Sequence, residues 1–178
     1  ECSVGRRILL GCASFIKVDL DAAKEYSMTV LRVPAYSPYA VAEHAVAILQ
    51  EANRRLHKAS NKVKDNTVAL SGLLGTDLHN KVAGIVGTGK IGVCMARICK
   101  GYGMTVLGWD AYPNRALEEE GLLTYVEKEE LFQKADLISL HAPMFTTTHN
   151  LVKEDILSMM KYYVLLVTPT RRGCLTHE

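Results

Sequence analysis

The chain has 178 residues, 48% of them hydrophobic and 22% charged, and carries a formal net charge of +2. That length holds one sizeable core, or one domain with part of another. The mild charge, with arginine pairs scattered at Arg6-Arg7, Arg54-Arg55 and Arg171-Arg172, excludes the basic stripe of a nucleic-acid or acidic-membrane binder.

No run approaches the ~18 apolar residues of a membrane span. The five cysteines form no C-x-x-C pair. Cys12, Cys94 and Cys99 stand in apolar patterns, where a free thiol acts as a small hydrophobe, so a reducing, cytoplasmic setting is expected. The chain opens at Glu1 near one apolar strand and stops at Glu178 just after another, and it is expected to be a fragment of a longer protein.

Taken in chain order, "RRILLGCA" reads as a strand, and "VDLDAAKEYSM" as a short helix capped by Asp19 or Asp21. "TVLRVP" is the next strand, stopped by Pro34. Ser37 and Pro38 suit the first turn of a helix that the pattern extends from Tyr39 to about Lys64. Val41, Ala45, Leu49, Ala52 and Leu56 recur there at spacings of three and four, which predicts one buried face. "SGLLGTDLHNK" is a glycine-bearing connection.

A cleaner series follows: strand "KVAGIV", a helix from Lys90 with Ile91, Met95 and Ile98 on one face, strand "MTVLGW" and strand "LTYV". Helix "EKEELFQKA", strand "DLISLHA", helix "KEDILSMM" and strand "VLLVT" complete it. Strands apolar at successive positions are buried on both faces, the mark of a parallel sheet between two helix layers. The fold class is therefore α/β, a doubly wound parallel sheet.

"AGIVGTGKIG", Ala83 to Gly92, is the stretch that carries chemistry. G-x-G-x-x-G is weak alone, but here it lies between a strand and a helix. Gly87 permits the tight turn, Gly89 lets the backbone approach a pyrophosphate, and Gly92 lets the helix pack close. The helix amides and dipole favour the anion. Asp110 ends the next strand, eighteen residues after Gly92, where a carboxylate accepts the hydroxyls of the adenosine ribose and repels a 2′-phosphate. The motif thus predicts NAD as cofactor rather than NADP.

The stretches "VDLDAAKE", "RVPAYSPYAVAEHAV", "NRRLHKA", "KVAGIVGTGKIG", "YGMTVLGWDAYP", "DLISLHAP" and "RRGCL" together resemble the D-2-hydroxyacid dehydrogenases, most closely those of the D-lactate type. The resemblance implies a two-domain enzyme. Residues 1–35 would be part of a smaller flavodoxin-like substrate domain and residues 36–178 a Rossmann-like NAD-binding domain, truncated at its end, with a hinge near Pro38. It implies an NAD-dependent oxidoreductase that interconverts a short 2-oxo acid and its (R)-2-hydroxy acid, as a cytoplasmic homodimer when full length, with no nucleic-acid or membrane partner. A second class is left open by the same family: dinucleotide-sensing corepressors without dehydrogenase activity.

Carried over by position, Lys90 and Ile91 would sit over the pyrophosphate. Ala142 and Pro143 would line the cofactor path, with Thr148 and Thr170 nearby. His141, in the same "HAP", is equally readable as a residue of the strand end. Tyr36 would face the substrate, or would simply pack in its turn; Ser14 stands in the loop that holds the substrate carboxylate, where the family's usual Gly and Asn are replaced. Glu43 and His44 match a family signature but read as helix and hinge architecture.

The family's catalytic arginine falls in "TPTRRGC". Aligning "RG" selects Arg172; counting without a gap from "HAP" selects Arg171, and Gly173 and Leu175 favour Arg172. A guanidinium holds a carboxylate bidentately and polarises the neighbouring ketone. The family's acid histidine and its partner glutamate correspond to positions past Glu178, so the fragment is expected to be inactive alone.

Overall fold

The computed structural model describes residues 6–15, 17–34, 37–142 and 152–169. The chain divides into two compact units, Glu1–Pro38 and Tyr39–Glu178.

In the first unit, strand β1 (Arg7–Leu10), helix α1 (Leu20–Glu25) and strand β2 (Thr29–Arg32) form a parallel β-α-β element, with Ile8 opposite Val30 and Leu9 opposite Leu31. Asp19 is the residue that caps α1: its carboxylate accepts from the amides of Asp21 and Ala22. The turn after α1 passes through Ser27 at φ 51°. Ala23 is the one fully buried residue among those described in this unit. Leu9 and Leu31 are exposed.

The second unit begins with helices α2 (Pro38–Arg54) and α3 (Leu56–Lys64). They replace the single helix expected to run to Lys64, because Arg55 takes a left-handed conformation at φ 50°. The break has a tertiary cause. Asn53 is buried and exchanges two hydrogen bonds with the backbone of Thr76, at 2.8 and 2.9 Å. Arg55 donates to the Gly72 carbonyl at 2.6 Å, and the Glu51 carboxylate accepts the His57 amide at 2.8 Å, starting α3 afresh. The buried stripe of α2 is also rotated from the expected one. Ala42, Ala45, Leu49 and Asn53 are inside, whereas Ala52 and Leu56 are exposed.

Then come β3 (Val82–Val86), α4 (Lys90–Gly101), β4 (Thr105–Trp109), α5 (Ala116–Glu119), β5 (Thr124–Tyr125), α6 (Lys128–Lys134), β6 (Leu137–Leu140), α7 (Glu154–Met159) and β7 (Leu165–Val167). The five strands form one parallel sheet in the order β5-β4-β3-β6-β7. α5 was not expected; four residues are too few for an apolar period to show.

Both faces of the sheet are covered. On one, Ala42, Ala45 and Leu49 of α2 and Met95 and Cys99 of α4 pack over Ala83, Ile85, Val106 and Leu137. On the other, Leu131 and Phe132 of α6 and Ile156 of α7 pack over Val86, Leu107, Ile138 and Leu140. This is the doubly wound arrangement that the unbroken apolar strands predict. Of the three cysteines taken as small hydrophobes, Cys94 and Cys99 are buried, but Cys12 is exposed in the loop after β1. Its short strand lends that loop no cover.

At the amino ends of the strands Asp136 acts as a pin. Its carboxylate accepts the Val82 amide at 2.9 Å and the Lys161 ammonium at 2.8 Å. Burial alone would raise its pKa, but these two bonds hold it below the ordinary 3.8. Among the described residues no helix is long and apolar enough to cross a membrane.

Candidate functional site

The strand order reverses beside β3, which lies between β4 and β6. In an open α/β sheet a crevice forms at the carboxyl ends of the strands at such a point. Three chain segments meet there: the turn after β3, the end of β4 and the end of β6.

The turn is built by its glycines. Gly87 leaves β3 at φ 90°, and its amide donates to the Trp109 carbonyl at 2.8 Å. A Cβ on Gly87 would lie 2.6 Å from the Ala142 amide nitrogen, and one on Gly92 would lie 1.9 Å from the Gly87 carbonyl oxygen. Those two positions are filled by the protein itself. Gly89 differs: a Cβ there meets nothing within 4 Å among the described residues.

Gly89 caps α4, a helix of 12 residues with no side-chain cap. Its first-turn amides and positive dipole end therefore lie beside open space, where an anion is favoured. Lys90 is exposed and Ile91 half-buried over this end. The dinucleotide fit rests on this contrast: the backbone is open at the one glycine where a phosphate must come close, and packed at the other two.

Asp110 follows β4, and its carboxylate is held from the protein side. Oδ2 accepts the Thr88 amide at 2.6 Å and the Thr88 hydroxyl at 3.1 Å, while Oδ1 accepts the Tyr112 amide at 2.9 Å. The Tyr125 hydroxyl lies 2.7 Å from Thr88 Oγ1 and accepts the Asn114 amide at 3.1 Å. Asp110, Trp109, Arg115, Tyr125 and Val126 line a cleft of about 440 Å³. Arg115 pairs with Glu118 at 2.6 Å. The Arg115 guanidinium, with the Tyr125 amide, holds the Glu118 carboxyl below its ordinary range.

At the end of β6, Ala142 is buried against Gly87. His141 beside it is only 8% exposed. Its Nε2 lies 2.8 Å from the Ser139 hydroxyl, and its buried Nδ1 has no hydrogen-bond partner among the described residues. Burial pushes its pKa down to about 4, so the ring is neutral at pH 7.

The structure thus brings Gly87, Gly89, Lys90, Ile91, Gly92, Asp110 and Ala142 to one crevice. Ser14 lies half-buried in the loop after β1, in the first unit. That loop is tied down by Arg32, which donates to the Ala13 carbonyl. Tyr36, Pro143, Thr148, Thr170, Arg171 and Arg172 lie outside the described residues. Sequence reading missed Thr88 and Tyr125. Thr88 sits inside the glycine motif at a position where the motif accepts any residue, and Tyr125 is 37 residues away from it.

The chain matches the family model of the D-isomer specific 2-hydroxyacid dehydrogenase NAD-binding domain over residues 46–178. It is 48% identical to the D-lactate dehydrogenase of Escherichia coli (strain K12) over 168 residues, 94% of this chain and 50% of that protein. It is 46% identical to the 2-hydroxyacid dehydrogenase homolog 1 of Schizosaccharomyces pombe over 167 residues, 93% of this chain and 50% of that one.

Among solved structures, the apo-structure of the Escherichia coli D-lactate dehydrogenase superposes with a TM-score of 0.91 at 45% identity, covering 96% of this chain and 54% of that one. A D-lactate dehydrogenase from Aquifex aeolicus complexed with NAD and lactic acid superposes with a TM-score of 0.84 at 33% identity, covering 96% and 51%. The chain spans about half the length of the curated relatives it matches.

Proposed function

The chain belongs to the D-isomer specific 2-hydroxyacid dehydrogenase family through its NAD-binding domain, and from that premise we propose that the whole protein interconverts a short 2-oxo acid and its (R)-2-hydroxy acid, of the pyruvate/D-lactate type. The observation that carries this reading is the open backbone at Gly89 between the filled positions at Gly87 and Gly92, with Asp110 across the crevice. NAD is the cofactor of the matched domain, and in reduced form it supplies the hydride.

The chain's own residues would hold and orient that cofactor. The α4 amino terminus, with Lys90 and Ile91, would take the pyrophosphate, and Asp110 would accept a ribose hydroxyl. Ala142, Pro143, Thr148 and Thr170 would line its path. Residues 1–35 would belong to the substrate domain, with Ser14 and, just past it, Tyr36 toward the substrate, and the hinge would fall near Pro38. Arg172 would clamp the substrate carboxylate. A fixed guanidinium there also stabilises the negative charge that builds on the carbonyl oxygen. Free Cys12, Cys94 and Cys99 support a cytoplasmic home.

The test has two parts. NADH titrated into the chain should bind, and Gly89→Ala should weaken binding strongly without changing the melting temperature, because its Cβ meets only open space. A full-length protein should then oxidise NADH with pyruvate. In that protein Arg172→Ala should remove most turnover while Arg171→Ala stays mild; the opposite pattern would move the arginine by one position. A full-length protein that binds NADH but turns over no 2-oxo acid would overturn the dehydrogenase reading in favour of a sensing module.

A further inference from the structure

We propose that Thr88 and Tyr125 are positioning residues that lock the Asp110 carboxylate and so set the preference for a cofactor without a 2′-phosphate. This rests on the dinucleotide reading above and adds to it a mechanism of discrimination.

The hydrogen-bond directions follow from chemistry alone. A carboxylate only accepts, so the Thr88 hydroxyl, 3.1 Å from Asp110 Oδ2, must donate to it. Thr88 has one hydroxyl proton, now used. Its oxygen, 2.7 Å from the Tyr125 hydroxyl, must then accept, and the phenol must donate. The Tyr125 oxygen accepts in turn from the Asn114 amide at 3.1 Å. The chain Asn114 to Tyr125 to Thr88 to Asp110 therefore runs in one direction, and its backbone anchors lie on three separate segments. Thr88 is buried in the glycine-rich turn, Tyr125 ends β5, and Asn114 lies in the loop after β4.

That geometry limits what Asp110 can do. A carboxylate offers about four acceptor positions. Three are taken from the protein side, by the Thr88 amide and hydroxyl on Oδ2 and by the Tyr112 amide on Oδ1. The remaining position, on Oδ1, suits one donor, such as a ribose hydroxyl. A 2′-phosphate brings only acceptors and negative charge to a carboxylate that cannot turn aside. Arg115, the cation that lines the same cleft, is already paired with Glu118 at 2.6 Å. The lock both presents the acceptor to NADH and keeps the repulsion aimed at NADPH.

Loosening it should therefore narrow the ratio of the two cofactors' affinities, which a merely structural role would not do. The chain's one tryptophan, Trp109, lines the cleft, so its fluorescence reports binding of either reduced cofactor directly. NADH and NADPH are titrated into the parent chain, Tyr125→Phe, Thr88→Val and Thr88→Ser, with far-UV circular dichroism and thermal melts alongside.

The parent should favour NADH. Tyr125→Phe and Thr88→Val should each weaken NADH roughly three- to tenfold, the scale of one lost hydrogen bond, while NADPH binding stays level or tightens. Thr88→Ser should restore the parent ratio, because it keeps the hydroxyl. If Thr88→Val does not fold, Tyr125→Phe decides by itself, since it removes one oxygen at a half-buried position. A ratio that is unchanged, with both affinities moving together or neither moving, overturns the proposal and leaves the dinucleotide site standing. A well-folded parent that binds neither cofactor overturns the dinucleotide reading itself.

Discussion

At the scale of single residues the site divides by what a methyl group would meet. A Cβ on Gly92 would lie 1.9 Å from the Gly87 carbonyl oxygen, a backbone atom that cannot step aside without moving the turn. Gly92→Ala should therefore cost stability as well as binding, by about 1–3 kcal/mol as overpacking typically does, read as a lower urea midpoint. Gly89→Ala, which meets nothing, should leave that midpoint in place. His141 gives a second prediction. Burial takes its pKa from 6.5 to about 4. Between those values an unfolded chain binds a proton that the folded one refuses, so stability falls as pH drops through that window and is unaffected above it. The loss is at most about 3 kcal/mol. His141→Gln, which keeps a polar group near Ser139, should flatten this part of the profile. The check is the difference in urea midpoint between pH 7 and pH 5, which should shrink in the variant. An equal difference in both proteins would show that the acid loss comes from carboxylates instead.

Between elements, the Asp136 pin joins β3, β6 and the segment before β7. Its side chain is 27% exposed and accepts from Val82 and Lys161, so Asp136→Asn should cost about 1–2 kcal/mol at pH 7. Because its pKa is held below the ordinary 3.8, this stabilisation is complete above that value and is lost as pH falls through the lower, folded one. Parent and variant should therefore converge in strong acid, and a gap that persists there would assign the loss to packing. The same scale shows what the sequence makes legible. The run from β3 to Asp110 could be read in advance because its signals are local: a buried strand, three glycines at fixed spacing, an amphipathic helix and an acid at the next strand end. The break at Arg55 could not, because it depends on Thr76 and Gly72 bonding back to Asn53 and Arg55, and helical periodicity runs straight through it. Nor could the tie between Thr88 and Tyr125, which exists only once β5 is added beside β4. Periodicity also placed Ala52 and Leu56 inside by counting from Val41, whereas the sheet selects the stripe one residue along, from Ala42.

At the scale of the whole molecule, one stretch after the break in the long helix leaves several large apolar side chains facing water. α3 has no buried residue. Val63, Val68, Leu70 and Leu74 are 74%, 92%, 83% and 88% exposed, although they lie within one stretch of the chain. Where such side chains adjoin in one patch, they mark a surface that another protein covers. The homodimer that the family resemblance implies would give them that cover, through α3 and the connection that follows rather than through the apolar face of α2, which packs on the sheet. The full-length protein should therefore sediment as a dimer at micromolar concentration, with a melting temperature that rises with concentration, as linked association requires. Val68→Asp combined with Leu70→Asp should give a monomer. Neither residue touches the crevice or the described core, so NADH should still bind to it. A parent protein that sediments as a monomer, or a double variant that remains a dimer, would place the contact elsewhere and leave these side chains without a partner.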